Sequence, residues 1–584
     1  MMSNTGFSRR RMMCRVLRLL LLLAALLVCV SAAGAETEAP LRFSVNGKET
    51  VALWEGDASD AYVFLPAWAD LGATTLLPAD GAEASIGQTP VTPGMSCADF
   101  ALGQPYPLTL QGRQLTLTFL RSAHTAALFV RTDDGDMEHV LADKDFEADA
   151  AVTLYTADGT VDYASAAGDR IGGRGNSTWK LPKKPFNLKL GQKAGLLGMG
   201  DAKKWSLLAN AYDETNLRNK LVLDFAREMA PYRGFSPECA FVDLYVNGGY
   251  QGLYLLCMST KDVTKLFLDT KSEDAYEIEL TMSVKVEEDA ETIPLAPGMA
   301  AEAKHPSPLS RSQREQLEDI VDGVQRLARY GADKTGDVRI DVESWARKLL
   351  VEVVFENYDA PNASQFFWGS LSGRTVYAGP CWDYDLSMGL YYVRWSTPRA
   401  IMAFKDWNLG QDVSWYHGLW EKPEIRQRAV ALYRDEVRSR LTDLLDQRIP
   451  AEADAIADAA VLDAARWPGL YTGHDSFRAA VADMAAFMRE RMAFLDALWL
   501  NEAAFVQVTM KLPNTRMLHL YTPAGEPCPD LPLPCDVSLP GEGMEDARVW
   551  LNAATDEPFD PATPVTEDLV LYAVLPAAEE PPEP

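Results

Sequence analysis

The stretch GPCWDYDLSMG, residues 379–389, carries two carboxylates separated by one residue within an otherwise aromatic and apolar run. If the run is a strand, Asp383 and Asp385 point to the same face, because side chains alternate along a strand. Two buried like charges this close together are costly unless a cation neutralises them. Oxygen ligands at this density favour Mg²⁺ or Mn²⁺, with nucleotide phosphates completing the shell. The stretch therefore predicts a metal site at Asp383, Asp385 or both.

A second stretch, NYDAPNAS at residues 357–364, follows a segment with the apolar spacing of a helix. Asp359 lies on the loop after this helix, where a carboxylate is well placed to accept a proton from a hydroxyl group. Asn362 or Ser364 offers a neutral metal ligand. Because Asn and Asp before a proline also form an ordinary turn, a purely structural interpretation stays open.

Further towards the N-terminus, RGNSTW at residues 174–179 predicts a glycine-containing turn between two strands. Such a turn can direct backbone N–H groups at a phosphate, so we expect Arg174, Gly175, Asn176 and Ser177 to bind one. Lys189 lies in the next predicted strand, on the face opposite its apolar residues, where a kinase-like fold needs a lysine for the nucleotide phosphates. The alternative is a basic surface turn followed by a solvated lysine.

The stretch WSLLANAYDETNLRNKL, residues 205–221, leads into a predicted helix. An acidic side chain on a helix is the expected orienting partner for a strand lysine such as Lys189. Asp213 and Asp224 are both candidates, and the pattern does not choose between them. Asp213 is equally well explained as a helix cap.

Around these motifs the chain is β-rich first and helical afterwards. Apolar alternation predicts strands before residue 136, and Asn247-Gly248 predicts a tight hairpin. The acidic and then Pro-rich composition of residues 276–310 predicts a loop or insertion. Helical spacing and a return to short strands follow, with predicted helices at 312–330, 343–357, 424–448 and 475–500, and strands after residue 500.

This order is what we expect of an α+β fold in which an atypical, two-lobed protein-kinase-like domain is flanked by small β-rich domains, although many other α+β proteins show the same order. We expect five segments: a signal peptide at 1–35, a β-sandwich-like domain at 36–135, a kinase-like domain at 136–500, a module of short strands at 501–576 and a disordered tail at 577–584.

The N-terminus has the pattern of an export signal. Five arginines between Arg9 and Arg18 precede the apolar run 19–30, and Ala33-Gly34-Ala35 offers a cleavage site. The run is short for a membrane span, although a retained anchor is the alternative interpretation. No later apolar segment is long enough to cross a bilayer. The pattern predicts a secreted or cell-surface protein.

The net charge of −28 over 584 residues argues against a nucleic-acid partner, because phosphate binding needs a basic surface. The same acidity favours a basic, Ser-rich protein partner through electrostatic steering. The six histidines are dispersed without the spacing of metal ligands. No GxSxG motif supports a serine hydrolase.

In their order, the motifs RGNSTW, PKKPFNLKL, WSLLANAYDETNLRNKL, VDLYVNGGYQGLYLL, NYD and WDYDLSMG resemble the spore-coat protein H (CotH) kinase-like family. The resemblance covers roughly residues 137–500. It implies an atypical kinase fold that binds ATP with a divalent cation and phosphorylates Ser or Thr in proteins.

Position by position, the resemblance makes residues 174–177 the phosphate-binding loop and Lys189 the nucleotide lysine. It makes Asp359 the catalytic-loop aspartate. It makes Asp383, with Asp385 beside it, the ligand that binds the metal.

Two positions depart from the pattern of the family. Relatives often have an Asn where Ser364 stands, so the second metal site rests on Asn362. They also often have an acidic residue after the hairpin, where this chain has Cys257-Met258-Ser259. This second departure bears on the contacts to the adenine side of the nucleotide.

The C-terminal stretches VWLN, FD, TPVT and LVLYA, between residues 549 and 573, resemble the closing half of a Listeria–Bacteroides repeat. These repeats are small β-grasp-like modules of bacterial surface proteins, which implies presentation or adhesion.

Two functions are consistent with the sequence. The first is an exported kinase that acts on Ser or Thr of a protein, in spore-coat or cell-surface assembly. The second is a non-catalytic adhesin or structural protein that uses the kinase-like fold as a binding scaffold.

Overall fold

The computed structural model describes residues 39–574, except for 57–58, 166, 287–289, 296–297, 332–336, 392–394, 407–413, 502–503, 514 and 539–542. The expected signal peptide and C-terminal tail lie outside the described residues. The chain contains both helices and strands, which confirms a mixed fold of α and β structure. The chain divides into two compact units, Met1–Gln192 with Val242–Tyr254 and Val461–Leu470, and Lys193–Phe241 with Leu255–Ala460 and Tyr471–Pro584.

The first unit is built almost entirely from strands. Its helical elements are Leu71–Ala73, Glu138–Ala142 and Thr178–Lys180. Its strands are Leu41–Val45, Glu49–Ala52, Trp54–Glu55, Asp60–Leu65, Thr74–Pro78, Ala84–Ile86, Thr89–Pro90, Pro105–Leu110, Arg113–Arg121, Ala126–Thr132, Glu147–Tyr155, Val161–Ala164, Asp169–Gly173 and Phe186–Ala194, together with parts of Cys239–Val246 and Gly249–Met258.

Alternating apolar residues form these strands, as predicted. Leu41, Phe43 and Val45 are fully buried in a strand that pairs antiparallel with strands on both sides. They belong to an apolar core shared by the strands before residue 122. The predicted hairpin is also confirmed, since Asn247 and Gly248 have φ values of 51° and 85°. Two successive positive φ values are the geometry of a two-residue hairpin turn.

A buried ion pair fixes the segment Val461–Leu470 within the first unit. Lys183 Nζ lies 2.8 Å from Asp463 Oδ1, and both side chains are fully buried. The same ammonium donates to the Leu253 carbonyl oxygen at 2.8 Å. Gly252 has a φ of +117°, and a Cβ there would collide with the Asp463 carboxylate. Glycine at this position therefore permits the close approach of strand and carboxylate.

The second unit contains most of the helices. They are Arg218–Glu228, Thr260–Thr264, Ser283–Lys285, Arg311–Tyr330, Val342–Val354, Met402–Phe404, Trp415–Trp420, Pro423–Leu432, Tyr433–Val437, Arg438–Asp443, Leu444–Arg448, most of Ile449–Arg466, Phe477–Trp499 and Pro534–Val537. Its strands are Ala202–Leu208, Ala275–Met282, Thr292–Pro294, Met299–His305, Arg339–Ile340, Gln365–Ser370, Thr375–Ala378, Phe505–Lys511, Met517–Pro523, Trp550–Asn552 and Leu569–Ala573.

Residues 276–310 are not the predicted loop. They contribute three neighbouring strands to a six-stranded sheet that continues through Gln365–Ser370. The prediction was wrong because the small residues Ala301 and Ala303 fill the buried face of a strand, while the charged Glu302 and Lys304 alternate with them on the other face. The prediction used the overall composition of the segment, which does not show this alternation.

The strands predicted after residue 500 are confirmed. They form a four-stranded sheet in the order Met517–Pro523, Phe505–Lys511, Leu569–Ala573 and Trp550–Asn552, with a parallel central pair. The relation of this sheet to a Listeria–Bacteroides repeat stays a prediction. No helix in the described part of the chain combines the length and hydropathy of a membrane span.

The Lys183–Asp463 pair predicts a large stability effect. Lys183→Met leaves a fully buried carboxylate without its cation, which costs about 3–5 kcal/mol. The matched control is Lys189→Met, because Lys189 pairs with Glu147 at 3.0 Å while both side chains are partly exposed. This control should cost at most about 1 kcal/mol. Denaturant unfolding of the two variants measures the difference, and equal losses would contradict the analysis.

Candidate functional site

Hydrogen bonds hold the start of the loop that carries Asp359. The preceding helix Val342–Val354 presents Glu352, which accepts from Asn357 Nδ2 at 2.7 Å. The Tyr358 backbone N–H donates to the Leu386 carbonyl oxygen at 2.9 Å. The Asp359 N–H donates to the Asn357 side chain at 3.1 Å. These bonds connect the loop to the stretch with the two carboxylates.

A buried ion pair fixes the tyrosine between those two carboxylates. Lys348 and Glu352, one turn apart on the helix, form a fully buried pair. Tyr384 Oη accepts from Lys348 Nζ at 3.0 Å and donates to Glu352 at 2.8 Å. The three side chains satisfy one another in an environment where an unpaired charge is costly. Tyr384 is thereby locked, and its neighbours Asp383 and Asp385 are positioned with it.

The stretch 379–389 is not the predicted strand. It is irregular, and Asp383 has a φ of +69°. Aspartate is among the few residues that tolerate this left-handed region. The argument that Asp383 and Asp385 share the face of a strand was therefore wrong, and the loop conformation positions the two carboxylates instead.

The helix Arg218–Glu228 supports the same loop. Asn219 Oδ1 accepts the Tyr384 N–H at 2.7 Å, and Arg218 Nε donates to the Ser387 carbonyl oxygen at 2.9 Å. Asp213 is fully buried and pairs with Arg218. The motif at residues 205–221 thus supports the two carboxylates, a role that its sequence did not reveal.

Four carboxylates influence one another here. Burial raises the pKa of Asp385 well above its usual value, and the negative charges of Asp383, Asp359 and Asp213 raise it further. The structure therefore brings together Asp359, Asp383 and Asp385, the three predicted acidic site residues. A cation would remove the repulsion that raises this pKa.

Two residues of the loop 357–364 bear on these carboxylates. Ser364 Oγ donates to Asp383 Oδ2 at 3.0 Å. Asn362 is buried, and its backbone N–H donates to the Asp359 carbonyl oxygen at 2.6 Å. The donor set of Asp383, Asp385 and Asn362 is oxygen only, which fits Mg²⁺ or Mn²⁺ and not a soft metal.

Sequence reasoning missed an acidic pair, Glu279 and Glu302, on the paired strands Ala275–Met282 and Met299–His305. Burial raises the pKa of Glu279, and the charges of Glu302 and Asp383 add to this rise. Lys304 Nζ lies 2.8 Å from Glu279 and 2.6 Å from Glu302. Glu279 and Lys304 therefore belong to the electrostatic surroundings of Asp383. The signal was the alternation of charged and small residues within 276–305.

A buried lysine beside the Asp359 loop was also missed. Lys405 donates to the Tyr358 carbonyl oxygen, and its ammonium lies 4.0 Å from the centre of the Tyr358 ring. Burial lowers the pKa of Lys405 to about 7, and the negative charge of Asp359 opposes this fall. No motif surrounds Lys405 in the sequence, so no local pattern could have identified it.

The predicted phosphate turn lies in the first unit. It joins the strand Asp169–Gly173 to the strand Phe186–Ala194, which pair antiparallel. Gly175 has a φ of +83°, and a Cβ there would collide with the Thr178 hydroxyl. Asn176 and Ser177 are exposed, and Arg174 is half-buried. The glycine turn between strands is as expected, and its binding of phosphate stays a prediction.

Lys189 lies on the predicted face of its strand, opposite the buried Leu188 and Leu190. Its Nζ pairs with Glu147 at 3.0 Å. The two acidic residues that were candidate partners have basic neighbours of their own. Asp213 pairs with Arg218, and Asp224 pairs with both Lys220 and Arg227. The role of Lys189 in nucleotide binding stays a prediction.

A family model described as CotH kinase protein matches residues 171–495, which is more than half of the chain. The matched span contains the phosphate turn, Lys189, the Asp359 loop and the stretch 379–389. No curated protein is significantly similar to the chain.

The low pKa of Lys405 predicts a pH-dependent stability. Between its folded value of about 7 and the value of about 10.4 for an unfolded lysine, the unfolded chain binds more protons. Wild-type stability therefore gains with rising pH by up to about 1.4 kcal/mol per unit. Lys405→Met lacks this gain.

Denaturant unfolding from pH 7 to pH 10 measures the difference between the two proteins. We expect the free energy of unfolding of wild type to rise steadily relative to that of Lys405→Met over this range. The same substitution at the exposed Lys261 should give a profile parallel to that of wild type. Parallel profiles for Lys405→Met would show that Lys405 is not a buried, proton-poor amine.

Proposed function

The chain belongs to the CotH kinase family, and from this premise we propose that it is an atypical kinase that transfers phosphate from ATP to Ser or Thr of a protein. The observation that carries the proposal is the buried group of carboxylates around Asp385. Phosphoryl transfer needs positioning and charge stabilisation more than covalent chemistry. A fixed set of carboxylates beside a catalytic-loop aspartate is suited to both.

Within this proposal, Asp383 and Asp385 hold a divalent cation, with Asn362 as a neutral ligand. The cation, when bound, neutralises charge on the nucleotide phosphates. Asp359 orients the acceptor hydroxyl and takes its proton. Lys405 lies against the Tyr358 carbonyl oxygen, where it limits the movement of the Asp359 loop.

We retain the family assignment of phosphate binding to Arg174, Gly175, Asn176 and Ser177, with Lys189 as the nucleotide lysine. The conformation of Gly175 supports it, since a turn with φ above zero can direct consecutive N–H groups at an anion. Lys189→Met should accordingly weaken nucleotide binding. Unchanged affinity of Lys189→Met for ATP would show that Lys189 does not bind the nucleotide.

The N-terminal pattern supports export, and we propose action at the cell surface or in a spore coat. The net charge of −28 favours basic, Ser-rich protein substrates. An exported kinase must meet ATP before or during export, or in a closed compartment. The alternative is that the fold serves as a binding scaffold in a surface protein.

Transfer of labelled phosphate tests the proposal. Purified chain is incubated with γ-labelled ATP, Mg²⁺ or Mn²⁺, and Ser- or Thr-containing peptides flanked by Lys and Arg. Asp359→Asn should lower the rate by about 100-fold or more, because it removes the general base. Asp383→Asn should abolish transfer through loss of the metal. The exposed Asp319→Asn is the matched control and should retain full activity.

Three outcomes are informative. Transfer by wild type and by Asp319→Asn, with loss in both site variants, supports the kinase. Equal incorporation in all four proteins would refute the assigned site. Metal-dependent nucleotide binding without any transfer would favour the binding scaffold.

A further inference from the structure

Two histidines that are far apart in the sequence meet on one aspartate in the second unit. His417 Nδ1 lies 2.7 Å from Asp406 Oδ2, and His519 Nε2 lies 3.6 Å from the same oxygen. The two imidazole rings are 4.7 Å apart, centre to centre. All three ligand atoms lie within 4.8 Å of one another. The histidines have no ligand spacing along the sequence, and the fold nevertheless brings these two together on Asp406.

His519 carries the observation that points to a ligand. Its side chain is 3% exposed, and Nε2 has no hydrogen-bond partner although it is buried. Leaving a buried polar atom unpaired costs about 1–3 kcal/mol, so native structures rarely do so without a reason. This nitrogen faces the Asp406 carboxylate at a distance too long for a hydrogen bond.

The other ring nitrogen of His519, Nδ1, contacts two polar side chains. Nδ1 lies 2.8 Å from the Gln507 side-chain amide and 3.2 Å from the Thr509 hydroxyl. The atom of Gln507 at 2.8 Å is Nε2, which donates to Nδ1, so Nε2 of His519 carries the ring proton when no metal is bound. A histidine that binds a metal donates its second ring N–H to an acceptor, so zinc binding would move the proton to Nδ1, where the Thr509 hydroxyl oxygen can accept it. The arrangement directs Nε2 towards Asp406.

We propose that Asp406, His417 and His519 bind one Zn²⁺ ion, with water as the fourth ligand. Imidazole nitrogens favour zinc over the hard cations expected at Asp383 and Asp385. Tetrahedral zinc with bonds of about 2.0–2.2 Å separates its ligand atoms by roughly 3.3 Å. The 3.6 Å separation already fits this spacing. The distance of 2.7 Å between His417 Nδ1 and Asp406 Oδ2 is shorter than this spacing, so the His417 ring moves slightly away from Asp406 when zinc binds. The water ligand reaches the metal beside His417, because this side chain is 20% exposed.

The site connects segments on either side of the end of the family match at residue 495. Asp406 and His417 lie within the matched region, and His519 lies on the C-terminal strand Met517–Pro523. The backbones already pair there, since the Met517 N–H donates to the Asp406 carbonyl oxygen at 2.7 Å. Zinc adds a cross-link between side chains at this junction. The proposal does not depend on the kinase activity.

Zinc binding is tested on the purified full chain after chelator treatment. Metal content by mass spectrometry, and competition with a coloured chelator, measure stoichiometry and affinity in excess Mg²⁺. We expect one Zn²⁺ per chain in wild type and none in His519→Ala or His417→Gln. His417→Gln replaces a partly exposed side chain, so it keeps the test valid if His519→Ala does not fold. Thr509→Val, which removes the oxygen that can accept from Nδ1–H, should weaken binding by about 10- to 100-fold.

Two controls separate this site from others. His474 pairs with Glu214 and Asp483 away from the cluster, so His474→Ala should bind zinc as wild type does. Asp385→Asn should also retain zinc, whatever its effect on phosphate transfer. Zinc should raise the melting temperature of both controls and leave that of His417→Gln unchanged. Absence of bound zinc in wild type, or equal affinity in His417→Gln, would overturn the proposal.

Discussion

A carboxylate removed from water beside three other negative charges is the constraint on which the second unit depends. Burial alone raises the pKa of Asp385, and Asp383, Asp359 and Asp213 raise it further. An isolated charge in such a place costs several kcal/mol. The group therefore needs a rigid scaffold, and either protonation of Asp385 or a bound cation relieves the repulsion.

The scaffold consists of buried polar groups that pair with one another. The Lys348–Glu352 pair satisfies Tyr384, and Asn219 receives the backbone N–H of the same tyrosine. A second pair, Glu356 with Arg491, is also fully buried and fixes the end of the helix before the Asp359 loop. Such pairs contribute little net stability, but removal of either partner is costly. They make the position of the carboxylates insensitive to fluctuations of the surrounding loops.

Much of this arrangement was predictable because it depends on local patterns. The alternation of apolar and polar residues predicted which face of its strand carries Lys189. The pair Asn247-Gly248 identified the hairpin turn. The resemblance to the CotH family assigned Asp359, Asp383 and Asp385 to one site, and Asp385 does sense both of the other charges. Periodicity and turn chemistry are local, and a single sequence reports them well.

Other features depend on contacts that are distant along the chain. The stretch with Asp383 looked like a strand because its apolar residues are buried, yet Asn219 and the tyrosine cluster hold it as a loop with a positive φ. Lys405 has no motif, and its significance comes only from burial against Tyr358. His417, on the helix Trp415–Trp420, and His519, on the strand Met517–Pro523, are 102 positions apart and meet at Asp406, which forms a β-bridge with Met517. Tertiary packing, which local pattern does not encode, decides each case.

The two proposed metal sites differ in the chemistry of their ligands. The oxygen-only group around Asp385 is suited to a hard cation that binds together with phosphates, whereas His417, His519 and Asp406 are suited to zinc. Each metal should therefore be selected by its own site. The first site carries the proposed activity, and the second serves the junction with the C-terminal sheet.

Calorimetric titration of ATP into the purified chain, with and without Mg²⁺, tests the central claim most directly. The claim is that the carboxylates at Asp383 and Asp385 hold a divalent cation that carries the nucleotide. The account predicts Mg²⁺-dependent binding in wild type, and at least about tenfold weaker binding when Asp383→Asn and Asp385→Asn are combined. Binding of equal affinity with and without Mg²⁺, or unchanged affinity in the double variant, would contradict it.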